Sequence, residues 1–138
     1  MVTSGEDSLA AGLVDPYLTA AIEDAQRNGI VVYAIYMPTL GHAAHSLWRL
    51  TWAQSHLEQL AEETGGESYI LGPEAPVSFE PYLESIAKRL AHQYRVTFLM
   101  KPERKSEFRE VKFTTEVPNA ELVAAKNVYV SRSREPGK

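Results

Sequence analysis

The chain has no cysteine among its 138 residues. Disulfides, thiolate catalysis and cysteine-based zinc sites are therefore excluded. The absence assigns no compartment, because cysteine-free proteins suit either side of a membrane. Excess positive charge is also missing. Lys and Arg number 14 against 18 Asp and Glu, a formal net charge of −4, so there is no overall basic footprint for nucleic acid. A late basic group (Arg95, Lys101, Arg104, Lys105, Arg109, Lys112) is interleaved with Glu103, Glu107 and Glu110 and reads as a solvated face. No apolar run approaches the roughly 18 residues of a membrane-spanning helix. The N-terminal stretch MVTSGEDSLAAG has no cationic region followed by an apolar core, so it does not read as a signal peptide. The expectation is a soluble chain without an export address.

What is present suits one domain with a real core: 44% apolar and 23% charged residues are ordinary for a globular protein of this length. Asp15-Pro16 is a helix start, with Asp15 as N-cap and Pro16 in the first turn. Leu18, Ala21, Ile22 and Ala25 follow at helical spacing, and Asn28-Gly29 ends the helix. The run Ile30 to Tyr36 (IVVYAIY) predicts a strand buried on both faces, as in a parallel sheet. Residues 37–47 form a long connection. A second helix is expected over roughly 48–64, with Leu50, Leu57, Leu60 and Ala61 inward and Gly65-Gly66 as terminator. A short strand at 67–71 and a third helix at roughly 78–92 follow. The latter carries Phe79, Tyr82, Leu83, Ile86, Ala87 and Leu90 at period 3.6. Residues 93–100 and 108–117 alternate and predict an antiparallel hairpin with one wet face. Pro118-Asn119 breaks it, and 122–130 supplies one more strand or two short ones.

The order helix, strand, helix, strand, helix, hairpin predicts an α/β fold. A partial Rossmann-like parallel sheet is flanked by helices and extended by a C-terminal antiparallel β-hairpin.

Three segments carry a family resemblance. Ala25–Ile35 (AQRNGIVVYAI), Leu57–Tyr69 (LEQLAEETGGESY) and Ile86–Phe98 (IAKRLAHQYRVTF) resemble, in order, successive units of von Willebrand factor type A domains. The third is similar to the hairpin exit of a bacterial subfamily known mostly from Acidobacteria. The resemblance covers roughly residues 2–130 and implies the C-terminal portion of such a domain. An α/β part would span 1–92, a hairpin extension 93–130 and a flexible tail 131–138. It implies a non-catalytic module that binds a protein partner, in a family whose members are generally exported.

The same resemblance aligns Met1–Asp7 with a strand end and the loop after it. Ser4 stands where many relatives place an Asp of the metal-ion-dependent adhesion site, with Glu6 and Asp7 nearby. The D-x-S-x-S loop of that site is absent from the chain. Hard-oxygen ligands are then too few for Mg²⁺, so no cofactor is expected, Mg²⁺ belonging only to an intact domain. The resemblance also leaves Ile30–Tyr36 short of a neighbour on one side. An open strand edge there would invite pairing with a second copy.

Ligands of open α/β sheets bind outside the carboxyl ends of the strands. The loops leaving those ends here nominate Ser4, Glu6, Asp7, His42, His45, Trp48 and Trp52 as binding residues. Trp48 and Trp52, four apart, can equally pack on each other in the core. His42, His45 and His56 invite a metal reading, but surface or capping histidines explain them without one. Ser46 and Ser55 near His45 and His56 do not make a triad by adjacency. Glu62-Glu63 read as solvent-facing. Thr64-Gly65-Gly66 lacks the lysine and glycines of a phosphate loop. A structural piece of a larger exported protein, and a metal-dependent hydrolase on the histidine-rich loop, are the alternatives to a binding module.

Overall fold

A computed structural model describes residues 2–3, 15–37, 47–71, 78–98 and 105–131, the side chains of 2–3 and 47–50 aside. The elements are β1 (Val2–Thr3), α1 (Pro16–Asn28), β2 (Ala34–Tyr36), α2 (Leu47–Thr64), β3 (Ser68–Ile70), α3 (Glu80–Ala91), β4 (Glu107–Glu110) and β5 (Asn127–Val130). The architecture is α/β: a parallel sheet of order β1-β2-β3, flanked by helices, and a separate antiparallel pair β4-β5.

Local chemistry sets the helix boundaries. Asp15 takes an extended backbone, and its Oδ1 accepts from the Tyr17 N–H at 2.8 Å, with Pro16 in the first turn. Gly29 is left-handed at φ 64°, and Gly29 and Ile30 return their N–H groups to Gln26 and Ala25. This double closure is the Schellman motif. It recurs at α2, where left-handed Gly65 (φ 80°) and Gly66 donate to Glu62 and Ala61. Pro118-Asn119 also turns as expected: Asn119 has φ 60°, and Ala120 N–H reaches Val117 O.

The strand expected over 30–36 is regular only at Ala34–Tyr36, whose three residues are almost fully buried. Ile30 and Val31 are exposed. The reason is competition for the backbone by the α2–β3 turn. Val32 N–H donates to Thr64 Oγ1 at 3.1 Å, and the parallel ladder with β3 begins only at Ala34, whose N–H donates to Glu67 O. β2 also has neighbours on both sides, with Ile35 opposite Val2 and Tyr69, and Tyr36 opposite Thr3 and Ile70. The expected open edge is thus covered by β1 at Ile35 and Tyr36.

α1 and α2 pack together, and α2 lies on β2 and β3. Ile22 and Ala25 from α1, and Ala53, Leu57 and Ala61 from α2, join Ala34, Ile35, Tyr36 and Leu71 in the core. Leu57 and Ala61 are inward as expected and Leu60 is half-buried, while the Leu50 side chain lies outside the described set.

Two expectations are corrected. Residues 93–98 form no strand; β4 pairs instead with β5, Phe108 opposite Tyr129 and Arg109 opposite Val128. Tertiary anchors select that partner. The Phe108 and Tyr129 rings meet at 5.2 Å, and the Arg27 guanidinium lies 4.9 Å from the Tyr129 centroid and 5.8 Å from that of Phe108. Glu62 faces solvent as expected, whereas Glu63 is half-buried. They converge on Lys126, whose Nζ lies 2.8 Å from one and 3.7 Å from the other.

Candidate functional site

The site is built from the direction of the strands. In a parallel sheet all carboxyl ends lie on one rim, and the register here sets Thr3, Tyr36 and Ile70 side by side at that rim. Leu71 N–H donates to Tyr36 O at 3.0 Å, continuing the β2–β3 ladder to its last residue. The chain therefore leaves β1 and β2 at adjacent points of one edge.

α2 places Trp52 at the same level. Its C-terminal residue Thr64 is tied to Val32, at the amino end of the sheet. Twelve residues of helix separate Thr64 from Trp52, about 18 Å at 1.5 Å per residue. Four residue steps of extended chain from Val32 to Tyr36 rise about 13 Å. Trp52 thus stands at the carboxyl rim or slightly above it. It is half-buried, with its ring edge-on to His56 at 5.6 Å and 72°.

That contact bears on two expectations. Trp52 has a histidine as ring partner, and the Trp48 side chain lies outside the described residues. His56, grouped in the sequence with His42 and His45, stacks on an aromatic one helical turn away. Ser4, Glu6, Asp7, His42 and His45 lie outside the described residues. Among those described, no three His, Asp or Glu side chains are grouped to hold a metal ion, and no helix is long and apolar enough to cross a membrane.

The opposite rim is occupied by structure. There the segment leading into β5 passes the end of α2 so closely that a Cβ on Gly65 would fall 2.6 Å from Ala125 N. Lys126 reaches Glu62 and Glu63, and Arg27 reaches Tyr129. The hydrogen bond to Glu62 is the chief cause holding the Lys126 ammonium above its ordinary pKa. The C-terminal segment thus packs on the C-terminal ends of α1 and α2.

A second polar group, missed in the sequence, joins β3 to α3. Arg89 binds Glu67 through two contacts, Nε–Oε2 at 2.6 Å and Nη2–Oε1 at 2.8 Å. The Tyr69 hydroxyl donates to Glu67 Oε2 at 2.6 Å and shares a 3.0 Å bond with Ser85 Oγ. Burial, then the Glu67 hydrogen bond, raises the Tyr69 pKa above the ordinary tyrosine value. Tyr82 closes the group edge-on to Tyr69 at 5.7 Å. Ser85, Lys88, Arg89 and His92 line a shallow groove beside it. Its Arg89 is committed to Glu67, and His92 Nδ1 is bonded to Lys88 O. The group thus fixes α3 on the sheet and leaves no convergent set of reactive atoms. The i, i+3, i+7 spacing of Tyr82, Ser85 and Arg89 was visible, but the partners on β3 were not. Compared with protein-family models, curated proteins and solved structures, the chain matches none.

Proposed function

We propose that the chain is a non-catalytic interaction module of the von Willebrand type A kind, binding a protein partner at the carboxyl rim of its parallel sheet. The observation that carries this is the register of β1 with β2. Val2 opposite Ile35 and Thr3 opposite Tyr36 set the carboxyl ends of β1 and β2 side by side at one edge. Partner recognition at such a rim rests on an aromatic anchor set among polar groups. Trp52, half-buried at rim level, has that character. The segment carrying Lys126 and β5 packs on the C-terminal ends of α1 and α2.

The test is paired capture from a matched extract with three baits: the wild type, Trp48→Ala/Trp52→Ala, and Lys112→Ala as a control away from the rim. Bound proteins are identified and each bait is melted separately. A partner retained by wild type and Lys112→Ala but lost by the double variant, at unchanged melting temperature, is the expected result. A partner bound equally by all three baits refutes the rim. Collapse of the double variant's melting temperature favours the structural-piece reading, in which the tryptophans serve packing alone.

A further inference from the structure

The chain has three asparagines, Asn28, Asn119 and Asn127. Only Asn28 is followed by glycine; Ala120 and Val128 follow the other two. Asparagine is a thermally labile side chain, because its amide is open to attack by the backbone nitrogen of the next residue. A following residue without Cβ obstructs that attack least and reaches the widest range of backbone angles. The Gly29 nitrogen gives up its proton and bonds to Asn28 Cγ, while the Cγ–Nδ2 bond breaks and Nδ2 leaves as ammonia. The product is a five-membered succinimide. Water then opens the ring at either carbonyl, leaving aspartate or isoaspartate at position 28. One water is consumed and one ammonia released.

The fold holds both reacting groups back. Asn28 is the last residue of α1 and is exposed, so water reaches it. Its Nδ2 donates to Asp24 O, one turn earlier, at 2.8 Å. Helical side chains tilt toward the N-terminus, so Cγ is held over the preceding turn, away from the nitrogen that must attack it. That nitrogen is also committed. Gly29 N–H donates to Gln26 O at 3.2 Å, and Ile30 N–H behind it donates to Ala25 O at 2.8 Å. Reaction therefore requires the last turn of α1 to open.

The product does not suit the closed turn. A carboxylate at position 28 loses the donor to Asp24 O, stands four residues from the Asp24 carboxylate and lies at the negative end of the helix dipole. An isoaspartyl link also lengthens the backbone inside the closure. Next to it, Arg27 is the residue that α1 presents to Phe108 and Tyr129, so loosening this turn reaches β5.

We propose that Asn28-Gly29 is a spontaneous deamidation site gated by the C-terminal turn of α1. It is protected while the turn is closed and reactive when the turn opens. Once crossed, the step is irreversible, because ammonia is lost and the product weakens the turn. The site is separate from the sheet rim and does not depend on the rim's role.

Peptide mapping by mass spectrometry on the full chain at neutral pH tests it, reading amide-to-acid conversion at each asparagine with ammonia release measured alongside. In guanidinium chloride, Asn28 converts first and Asn119 and Asn127 lag. In the folded chain, conversion at Asn28 is roughly thirtyfold slower, the protection given by the two hydrogen bonds at Nδ2 and Gly29 N–H. Ile30→Pro removes one N–H of the closure without touching either reacting residue. Shown to be folded by circular dichroism, it converts several-fold faster than the wild type. Asn28→Asp melts at a lower temperature than the wild type. Equal rates at Asn28 in folded and denatured chain, conversion led by Asn119 or Asn127, a folded Ile30→Pro no faster than the wild type, or an Asn28→Asp protein as stable as the wild type overturns the proposal. The comparison of folded with denatured wild type decides the matter even if Ile30→Pro fails to fold.

Discussion

Thr64 is the most sharply testable residue of the fold. It is 2% exposed and ends α2. Its hydroxyl lies 2.8 Å from Leu60 O and 3.0 Å from Ala61 O, and it accepts the Val32 N–H at 3.1 Å. One oxygen thus closes the helix and holds the chain entering β2. Thr64→Val keeps the shape, opens no cavity and leaves helix propensity almost unchanged. It removes a buried hydrogen bond and strips Val32 N–H of this acceptor, together about 2–3 kcal/mol. At roughly 2.1 cal/mol/K per residue, the unfolding entropy of 138 residues converts each kcal/mol into about 3.5 °C. The melting temperature should fall by roughly 7–10 °C. Thr64→Ser keeps the oxygen and loses one methyl, about 1 kcal/mol or some 3–4 °C. Calorimetry gives the order, and hydrogen exchange should show Val32 losing protection in the valine variant only. A Thr64→Val protein as stable as Thr64→Ser would refute the reasoning, because it would make Thr64 a packing residue whose hydroxyl is dispensable.

Among the described glycines, Gly66→Ala should be the most damaging. Its Cβ would fall 1.9 Å from Val32 O and 2.7 Å from Val32 C, both backbone atoms that cannot swing aside. A loss above about 3 kcal/mol is expected in denaturant melts, while Gly29→Ala, with nothing near its Cβ, pays only the left-handed backbone cost of about 1 kcal/mol. Alkaline stability should follow Tyr69 and Lys126, both raised in the folded state. A raised pKa means that the folded chain holds the proton more tightly. That stabilisation is complete below the unfolded values near 10 and is lost as pH climbs through the folded ones. Unfolding free energy measured from about pH 8 to 11.5 should decline above 10, less steeply in Tyr69→Phe. An equal decline in both proteins would place the effect elsewhere.

Residues with strong local chemistry declared themselves in the sequence. Asp15-Pro16, Asn28-Gly29 and Gly65-Gly66 mark element boundaries, and Pro118-Asn119 a turn, because capping and left-handed backbone depend on one or two neighbouring residues. The unbroken apolar run before Tyr36 announced a buried parallel strand. The candidate rim was legible only as loops following strands; the register of β1 with β2 is what sets the ends of those strands side by side.

What the sequence could not decide is which distant groups meet. Alternation in 93–98 and 108–117 looked like one hairpin, yet β4 took β5, because Tyr129, Arg27 and the Lys126 pairs with Glu62 and Glu63 fix the later strand from outside the local sequence. The period-3.6 stripe of α3 was correct as a helix signal and silent about burial, since Leu83 and Leu90 stay exposed while Arg89 and Ser85 are drawn toward β3. Helix and turn formation are short-range problems of backbone geometry and are written in adjacent residues. Strand pairing and the choice of buried face depend on contacts far apart along the chain, whose free energies compete only once the tertiary structure forms.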